Sequence, residues 1–181
     1  LATGDFNSDG NLDLVVTSLS SNLSVLFGNG SGGFPTSISV NVGANQSAPR
    51  IGDFNGDGKL DLLVITGTSL QVRLGDGAGN FSVAPGSPLT LGFAPAGFTT
   101  LNDFNLDGKL DLAIGQNGAA QVSVLYGAGD GSFAAGSPIS VSSTPTNVGS
   151  ADFNLDGNAD LAVSHTNDSL TILLGNGAGG F

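Results

Sequence analysis

Four nonapeptides carry the residues whose types and spacing could do chemistry. Asp5-Phe-Asn-Ser-Asp-Gly-Asn-Leu-Asp13 recurs as Asp53-Phe-Asn-Gly-Asp-Gly-Lys-Leu-Asp61, Asp103-Phe-Asn-Leu-Asp-Gly-Lys-Leu-Asp111 and Asp152-Phe-Asn-Leu-Asp-Gly-Asn-Ala-Asp160. Positions 1, 5 and 9 offer carboxylates, position 3 an amide oxygen, and position 7 a backbone carbonyl. Calcium takes six to eight oxygen ligands, and such a set meets that demand. The expected ligands are Asp5, Asn7, Asp9, Asn11 and Asp13 in the first copy and Asp53, Asn55, Asp57, Lys59 and Asp61 in the second. Asp103, Asn105, Asp107, Lys109 and Asp111 serve the third, and Asp152, Asn154, Asp156, Asn158 and Asp160 the fourth. About four Ca2+ are therefore expected, one per copy. With its last acid at position 9, this loop is shorter than the twelve-residue calcium loop set between helices, and suits a link between two strands. Gly10, Gly58, Gly108 and Gly157 at position 6 permit the sharp turn that gathers the ligands. Position 7 alternates between Asn and Lys, which is consistent only with a backbone contribution there.

The charge distribution agrees. All fifteen acids are Asp, twelve of them lie in these loops, and the net charge is −11. Carboxylates about 4 Å apart repel by roughly 4 kcal/mol at an effective dielectric near 20, so three in one loop call for a counter-ion. Four dications would bring the net charge from −11 to −3. Turn preference alone also favours Asp and Gly, but it does not demand four copies in the same phase. Magnesium wants strict octahedral geometry, and soft metals would find no Cys and a single His. So acidic a chain is a poor partner for nucleic acid or anionic membranes.

The elements that must position these loops follow from the rest of the repeat. First-Asp spacings are 48, 50 and 49, a period that signals a repeat architecture. A second motif follows each loop: Phe27-Gly-Asn-Gly-Ser-Gly-Gly-Phe34, Leu74-Gly-Asp-Gly-Ala-Gly-Asn-Phe81, Tyr126-Gly-Ala-Gly-Asp-Gly-Ser-Phe133 and Leu174-Gly-Asn-Gly-Ala-Gly-Gly-Phe181. Such glycine density predicts a tight reversal. Between the motifs the apolar period is 2, as in Leu23, Val25, Phe27 and in Leu70, Val72, Leu74, which predicts strands. Leu14 to Val16, Leu62 to Ile65, Leu112 to Ile114 and Leu161 to Val163 read as strands covered on both faces. Weaker outer strands are expected at Ile38 to Val42, Leu89 to Leu91 and Ile139 to Val141, and short opening strands at Arg50 to Gly52 and Thr100 to Asn102. The expected fold is all-β: a β-propeller of four repeats with four-stranded antiparallel blades at about 1–46, 47–95, 96–144 and 145–181, within one segment spanning 1–181. The last blade lacks its outer strand. No apolar run reaches bilayer-spanning length, so no membrane insertion is expected. The repeat is already under way at Leu1, and the chain reads as processed or excised.

These motifs resemble the FG-GAP or VCBS-type repeats of integrin α-subunit propellers and bacterial surface proteins, and the likeness covers essentially the whole chain. The resemblance implies that each Asp loop joins the first two strands of a blade and binds Ca2+. Phe-Gly survives literally only as Phe27-Gly28, and Phe93-Ala-Pro-Ala96 is the nearest approach to a Gly-Ala-Pro element. Rings of this family usually have seven or eight blades, so four repeats imply part of a larger ring, or a homo-oligomer formed through the open blade edge.

The functional expectation is a secreted or cell-surface, calcium-binding scaffold for adhesion or recognition of a protein or glycan. A self-assembling surface protein that completes blades between subunits is the first alternative, and a propeller-borne lyase or hydrolase the second. An enzyme is disfavoured: there is no Glu or Cys, and His165 reads as a rim-loop residue. Outside the loops only Asp76, Asp130 and Asp168 remain, and the first two sit in glycine turns, where capping is expected. Phe93 and Phe98 interrupt the repeat and are expected to fill a gap between blades or to line a binding face.

Overall fold

The computed structural model describes residues 1–18 and 20–181, and for Phe98 the backbone only. Every regular element among them is a strand. The strands form four antiparallel sheets in chain order. The first sheet comprises β1 (Ala2–Gly4), β2 (Asp13–Val16), β3 (Asn22–Phe27) and β4 (Thr36–Asn41), each paired with the next. The second comprises β5 (Arg50–Gly52), β6 (Asp61–Thr66), β7 (Ser69–Gly75), β8 (Phe81–Val83) and β9 (Leu89–Thr90). The third comprises β10 (Pro95–Asn102), β11 (Asp111–Gln116), β12 (Gln121–Gly127), β13 (Phe133–Ala135) and β14 (Ile139–Ser140). The fourth has three: β15 (Pro145–Ala151), β16 (Asp160–His165) and β17 (Leu170–Leu173).

The period-2 pattern is thus realised as antiparallel ladders, and the fourth sheet lacks an outer strand, as expected. The outer position of the second and third sheets departs from expectation. Two short strands share it, so that β8 and β9 both pair with β7, and β13 and β14 both pair with β12. Ala84-Pro-Gly-Ser-Pro88 and Ala135-Gly-Ser-Pro138 interrupt the run, because proline cannot donate to a ladder. Leu91 and Val141 fall just beyond the strands, yet their N–H groups still bond Thr68 O and Ala120 O at 2.9 Å.

The chain packs as two compact units, Leu1–Leu91 with Asp130–Ser132, and Gly92–Gly129 with Phe133–Phe181. In the first, the core joins Phe6, Val15, Leu23 and Val25 of the first sheet to Leu62 and Val64 of the second. In the second, Phe104, Ala113, Val122 and Val124 meet Val148, Leu161 and Val163. Each such Val, Leu or Phe side chain removed from water contributes about 1.5–3 kcal/mol. Arg73, set between Val72 and Leu74 in β7, is buried and ties two sheets of the first unit by bonding Asn41 O through Nη2 at 2.8 Å and Nε at 3.2 Å.

His165 corrects the rim-loop reading. It is the last residue of β16 and is buried, with Nδ1 2.9 Å from Ser143 O and Nε2 2.8 Å from Thr171 Oγ1. The strand simply runs two residues further than its apolar run. Phe93 is half-buried, whereas the Phe98 side chain lies outside the described residues.

Candidate metal centre

Each nonapeptide connects the first two strands of a sheet, with its position 9 Asp as the opening residue of the second strand. The register places Gly4 opposite Asp13, Gly52 opposite Asp61, Asn102 opposite Asp111 and Ala151 opposite Asp160. The loop is therefore held at both ends by the ladder that it joins.

Within the loops the backbone curls around the side chains. The Asp5 carboxylate accepts from Asp9 N at 3.2 Å and Gly10 N at 2.8 Å, and Asp103 and Asp152 repeat both contacts within 0.1 Å. Asp53 makes the same two bonds and accepts a third from Gly56 N at 2.7 Å. Asn7, Asn55, Asn105 and Asn154 each accept from the position 5 N–H through Oδ1. Position 5 in turn accepts from the position 7 N–H at 2.8–3.0 Å. These bonds hold Asp9 and Asp156 below the usual carboxylate range, led by the N–H of Asn11 and Asn158. Position 7 contributes backbone to the loop, in line with its change from Asn to Lys.

Position 9 behaves differently. Asp13, Asp61, Asp111 and Asp160 are fully buried. One oxygen accepts from the position 2 N–H, at 2.9 Å from Phe6, 2.7 Å from Phe54, 3.0 Å from Phe104 and 2.9 Å from Phe153. The other accepts from the first glycine of the turn motif, at 2.8 Å from Gly28 and Gly75, 2.9 Å from Gly127 and 2.7 Å from Gly175. This carboxylate therefore clasps the loop to the glycine turn, a job sequence reasoning did not assign it. Burial pushes Asp61 and Asp111 up, partly offset by those two N–H bonds, and the carboxylates at positions 5 and 1 push further in the same direction.

The clasp also explains the turn glycine. A Cβ on Gly28, Gly75, Gly127 or Gly175 would lie 2.2–2.3 Å from the backbone oxygen of the position 8 residue. Backbone cannot step aside as a side chain can. Gly127→Ala is expected to cost about 2–4 kcal/mol, read as a lowered urea midpoint with an unchanged slope.

Position 4 is a further feature with only a faint sequence signal. Ser8, Leu106 and Leu155 adopt φ of 59°, 57° and 62°, a left-handed conformation costly for a side chain. Gly56 stands at the same position in the second copy, and that glycine was the available clue. Two left-handed residues, at positions 4 and 6, curl positions 1, 3 and 5 toward one side of the loop.

The structure thus brings the predicted donors into four small loops of matching hydrogen bonding. Among the described residues no three acidic, imidazole or thiol side chains gather closely enough to form a cage by themselves, so amide and backbone oxygens are needed to complete an oxygen set. The donors present are all hard oxygens, which fits Ca2+ and not a soft metal. Lys59 Nζ lies 3.9 Å from Asp57 Oδ2, and Lys109 Nζ 3.3 Å from Asp107 Oδ2. Both pairs are solvent-exposed and worth no more than about 1 kcal/mol. Asp76 and Asp130 accept N–H groups of their own turns, from Ala78 and Ser132 at 2.8 and 2.9 Å, which is the capping role expected.

The FG-GAP-like repeat profile matches residues 5–64, 53–101 and 103–163, so that each match begins at position 1 of an Asp loop. The chain belongs to the FG-GAP-like repeat family. No curated protein matches it in sequence. Solved structures do resemble it. An Agrocybe aegerita lectin described as recognising non-reducing terminal N-acetylglucosamine aligns with a TM-score of 0.64 at 21% identity, over 99% of this chain and 50% of the lectin. The Photorhabdus luminescens Tc holotoxin pore aligns with a TM-score of 0.61 at 20% identity, over 94% of this chain and 8% of that one. The BBS1N protein in complex with ARL6DN aligns with a TM-score of 0.62 at 16% identity, over 97% of this chain and 56% of that one. The chain therefore spans about half the length of the lectin. At these identities the likeness concerns the fold: an all-β, propeller-type arrangement of FG-GAP-like blades.

Proposed function

We propose that this FG-GAP-like chain is a non-enzymatic, calcium-stabilised scaffold that acts outside the cell or at its surface and recognises a protein or glycan. The observation that carries the metal assignment is the buried position 9 aspartate. In each repeat a carboxylate removed from water sits at the root of a loop that carries two more. The loop lysines pair with position 5 and not with it. A charge buried with like charges nearby is costly unless a cation joins it. Position 9 keeps lone pairs free after accepting its two N–H bonds, so Asp5, Asn7, Asp9, the Asn11 carbonyl and Asp13 would hold a Ca2+, as would their counterparts. The ion supplies charge neutralisation and cross-links two strands; the chain's own residues supply shape.

Free calcium is abundant outside cells, where modules with dissociation constants of about 10−4–10−3 M are useful. The recognition role draws support from the neighbours named above, one described as a sugar-binding lectin and one as a protein complex. Loops at the blade ends are where a repeat scaffold varies its ligand chemistry.

Native mass spectrometry in calcium tests the assignment: four ions per chain are expected, and a spectrum with none overturns it. The lysines further imply two classes of site. Loops 1 and 4 should fill first, because Lys59 and Lys109 compete for the position 5 carboxylate in loops 2 and 3. Lys109→Asn should strengthen one of the weaker sites by about two- to fivefold, read by calorimetric titration. Four identical sites in the parent chain would contradict the lysine effect without touching the metal assignment.

A further inference from the structure

In each repeat one residue of the third strand pairs with the leucine that follows the position 9 aspartate: Leu26 with Leu14, Arg73 with Leu62, Leu125 with Leu112 and Leu173 with Leu161. Three repeats place leucine there, and the second places arginine. Arg73 is only 8% exposed. Among the described residues all its acceptors are neutral. Nε and Nη2 share Asn41 O, and Nη1 donates to Val72 O at 3.0 Å. Two longer contacts, 3.3 Å from Nη2 to Gln71 Oε1 and 3.5 Å from Nη1 to Ser87 Oγ, go to side chains. Burial lowers the Arg73 pKa, with no carboxylate holding it up. A buried charge without a counter-charge is costly, and leucine at the same position in the other repeats shows that the fold does not require it.

A cleft of about 400 Å3 opens beside this guanidinium, between β4 and β8. Val40 belongs to the core of the unit, and Ile38 and Phe81 pack on it, so these three give the cleft an apolar lining. Val83, 59% exposed, flanks it, and Ser39 and Asn80 add a hydroxyl and an amide. The two sides are held together by a glycine hook from the second sheet onto the first. Gly79 N donates to Phe6 O at 3.1 Å, and the Phe81 ring meets Phe6 edge-on at 5.9 Å. The same hook recurs from Gly131 N to Phe54 O at 2.9 Å and from Gly179 N to Phe104 O at 3.1 Å. What sets this cleft apart is therefore the arginine.

We propose that the cleft binds a sugar bearing a carboxylate, a uronic acid residue of a glycan, with Arg73 as its counter-charge. This deepens the glycan half of the function proposed above and rests on it. A charged acceptor bonds a guanidinium more strongly than a neutral one, so the sugar carboxylate takes over the two longest Arg73 contacts, those to Gln71 and Ser87. The apolar lining suits the C–H face of a sugar ring, while Ser39 and Asn80 suit its hydroxyls. The volume lies within the range of small-molecule sites, about 300–1,000 Å3. A single carboxylate needs a single cation, which an otherwise acidic chain supplies here.

Amide chemical-shift titration of the calcium-saturated full chain with glucuronate, glucose and N-acetylaspartate tests this. Glucuronate should shift the amides of Ile38 to Asn41 and Arg73 to Val83, and glucose should bind there about 10- to 100-fold more weakly. Arg73→Leu carries the residue of the other three repeats, so it should keep the parent's circular dichroism while glucuronate loses its advantage over glucose. Val83→Glu, at an exposed position, sets a like charge at the mouth and should weaken glucuronate but not glucose. A preference for glucuronate that survives Arg73→Leu, or shifts confined to the Asp loops, would overturn the proposal. N-acetylaspartate bound as tightly as glucuronate would assign the cleft to a protein carboxylate and overturn the sugar. Glucose and glucuronate bound equally would overturn the acidic site alone and leave the glycan reading standing, whereas silence of the chain on an array of neutral and acidic glycans would overturn both.

Discussion

Chelating calcium is expected to lower the melting temperature of this chain by more than any single substitution does. An ion present at a hundred times its dissociation constant stabilises the state that binds it by about 2.7 kcal/mol. Four independent loops would together contribute about 11 kcal/mol, which is comparable with the whole stability of an ordinary domain, about 5–15 kcal/mol. At about 2–4 °C per kcal/mol for a chain of this size, the melt should fall by about 20–40 °C between saturating calcium and EDTA. The loss should be reversed by calcium and only weakly by magnesium, whose octahedral demand the loops do not meet. Melting curves that superimpose in calcium and in EDTA would remove the metal reading entirely.

The second large effect belongs to the buried aspartate and does not need the ion. Asp111→Ala removes the acceptor of both Phe104 N and Gly127 N, leaving two buried donors without partners. At about 1–3 kcal/mol for each orphaned group, the substitution should cost about 2–5 kcal/mol even in EDTA. Asp103→Ala supplies the contrast. Asp103 accepts from Asp107 N and Gly108 N at the solvent-exposed tip of the same loop, where water can replace it. It should be close to neutral in EDTA and harmful in calcium. Chemical denaturation of both variants in both conditions separates the clasp from the ligand. If Asp111→Ala and Asp103→Ala lose the same stability in EDTA, position 9 has no structural role of its own.

Much of this organisation was legible because repetition amplifies weak signals. A single Asp-Gly loop is ambiguous, while four in phase identify the link between the first and second strands, and the alternation at Leu23, Val25 and Phe27 identifies the third. The three-stranded fourth sheet was equally legible, since its repeat reaches only Phe181, the closing residue of the glycine turn. What escaped was tertiary. Nothing local says that Asp13 is buried, because its two N–H partners, Phe6 and Gly28, lie 7 and 15 residues away. The left-handed turn at Leu106 and Leu155 contradicts the preference of leucine, and loop closure overrides it. His165 and Arg73 are polar residues that found partners inside, where their polarity alone would have put them in water.

The glycine hooks have a mechanical corollary. Gly79, Gly131 and Gly179 each donate from one repeat to the phenylalanine carbonyl of the repeat before it, Phe6, Phe54 and Phe104. Load applied to the two ends would therefore be borne by these hooks in series, and the link that yields would be the one with the fewest apolar neighbours behind it. A tethered chain of this design would lengthen in steps of one repeat as the hooks give way in turn.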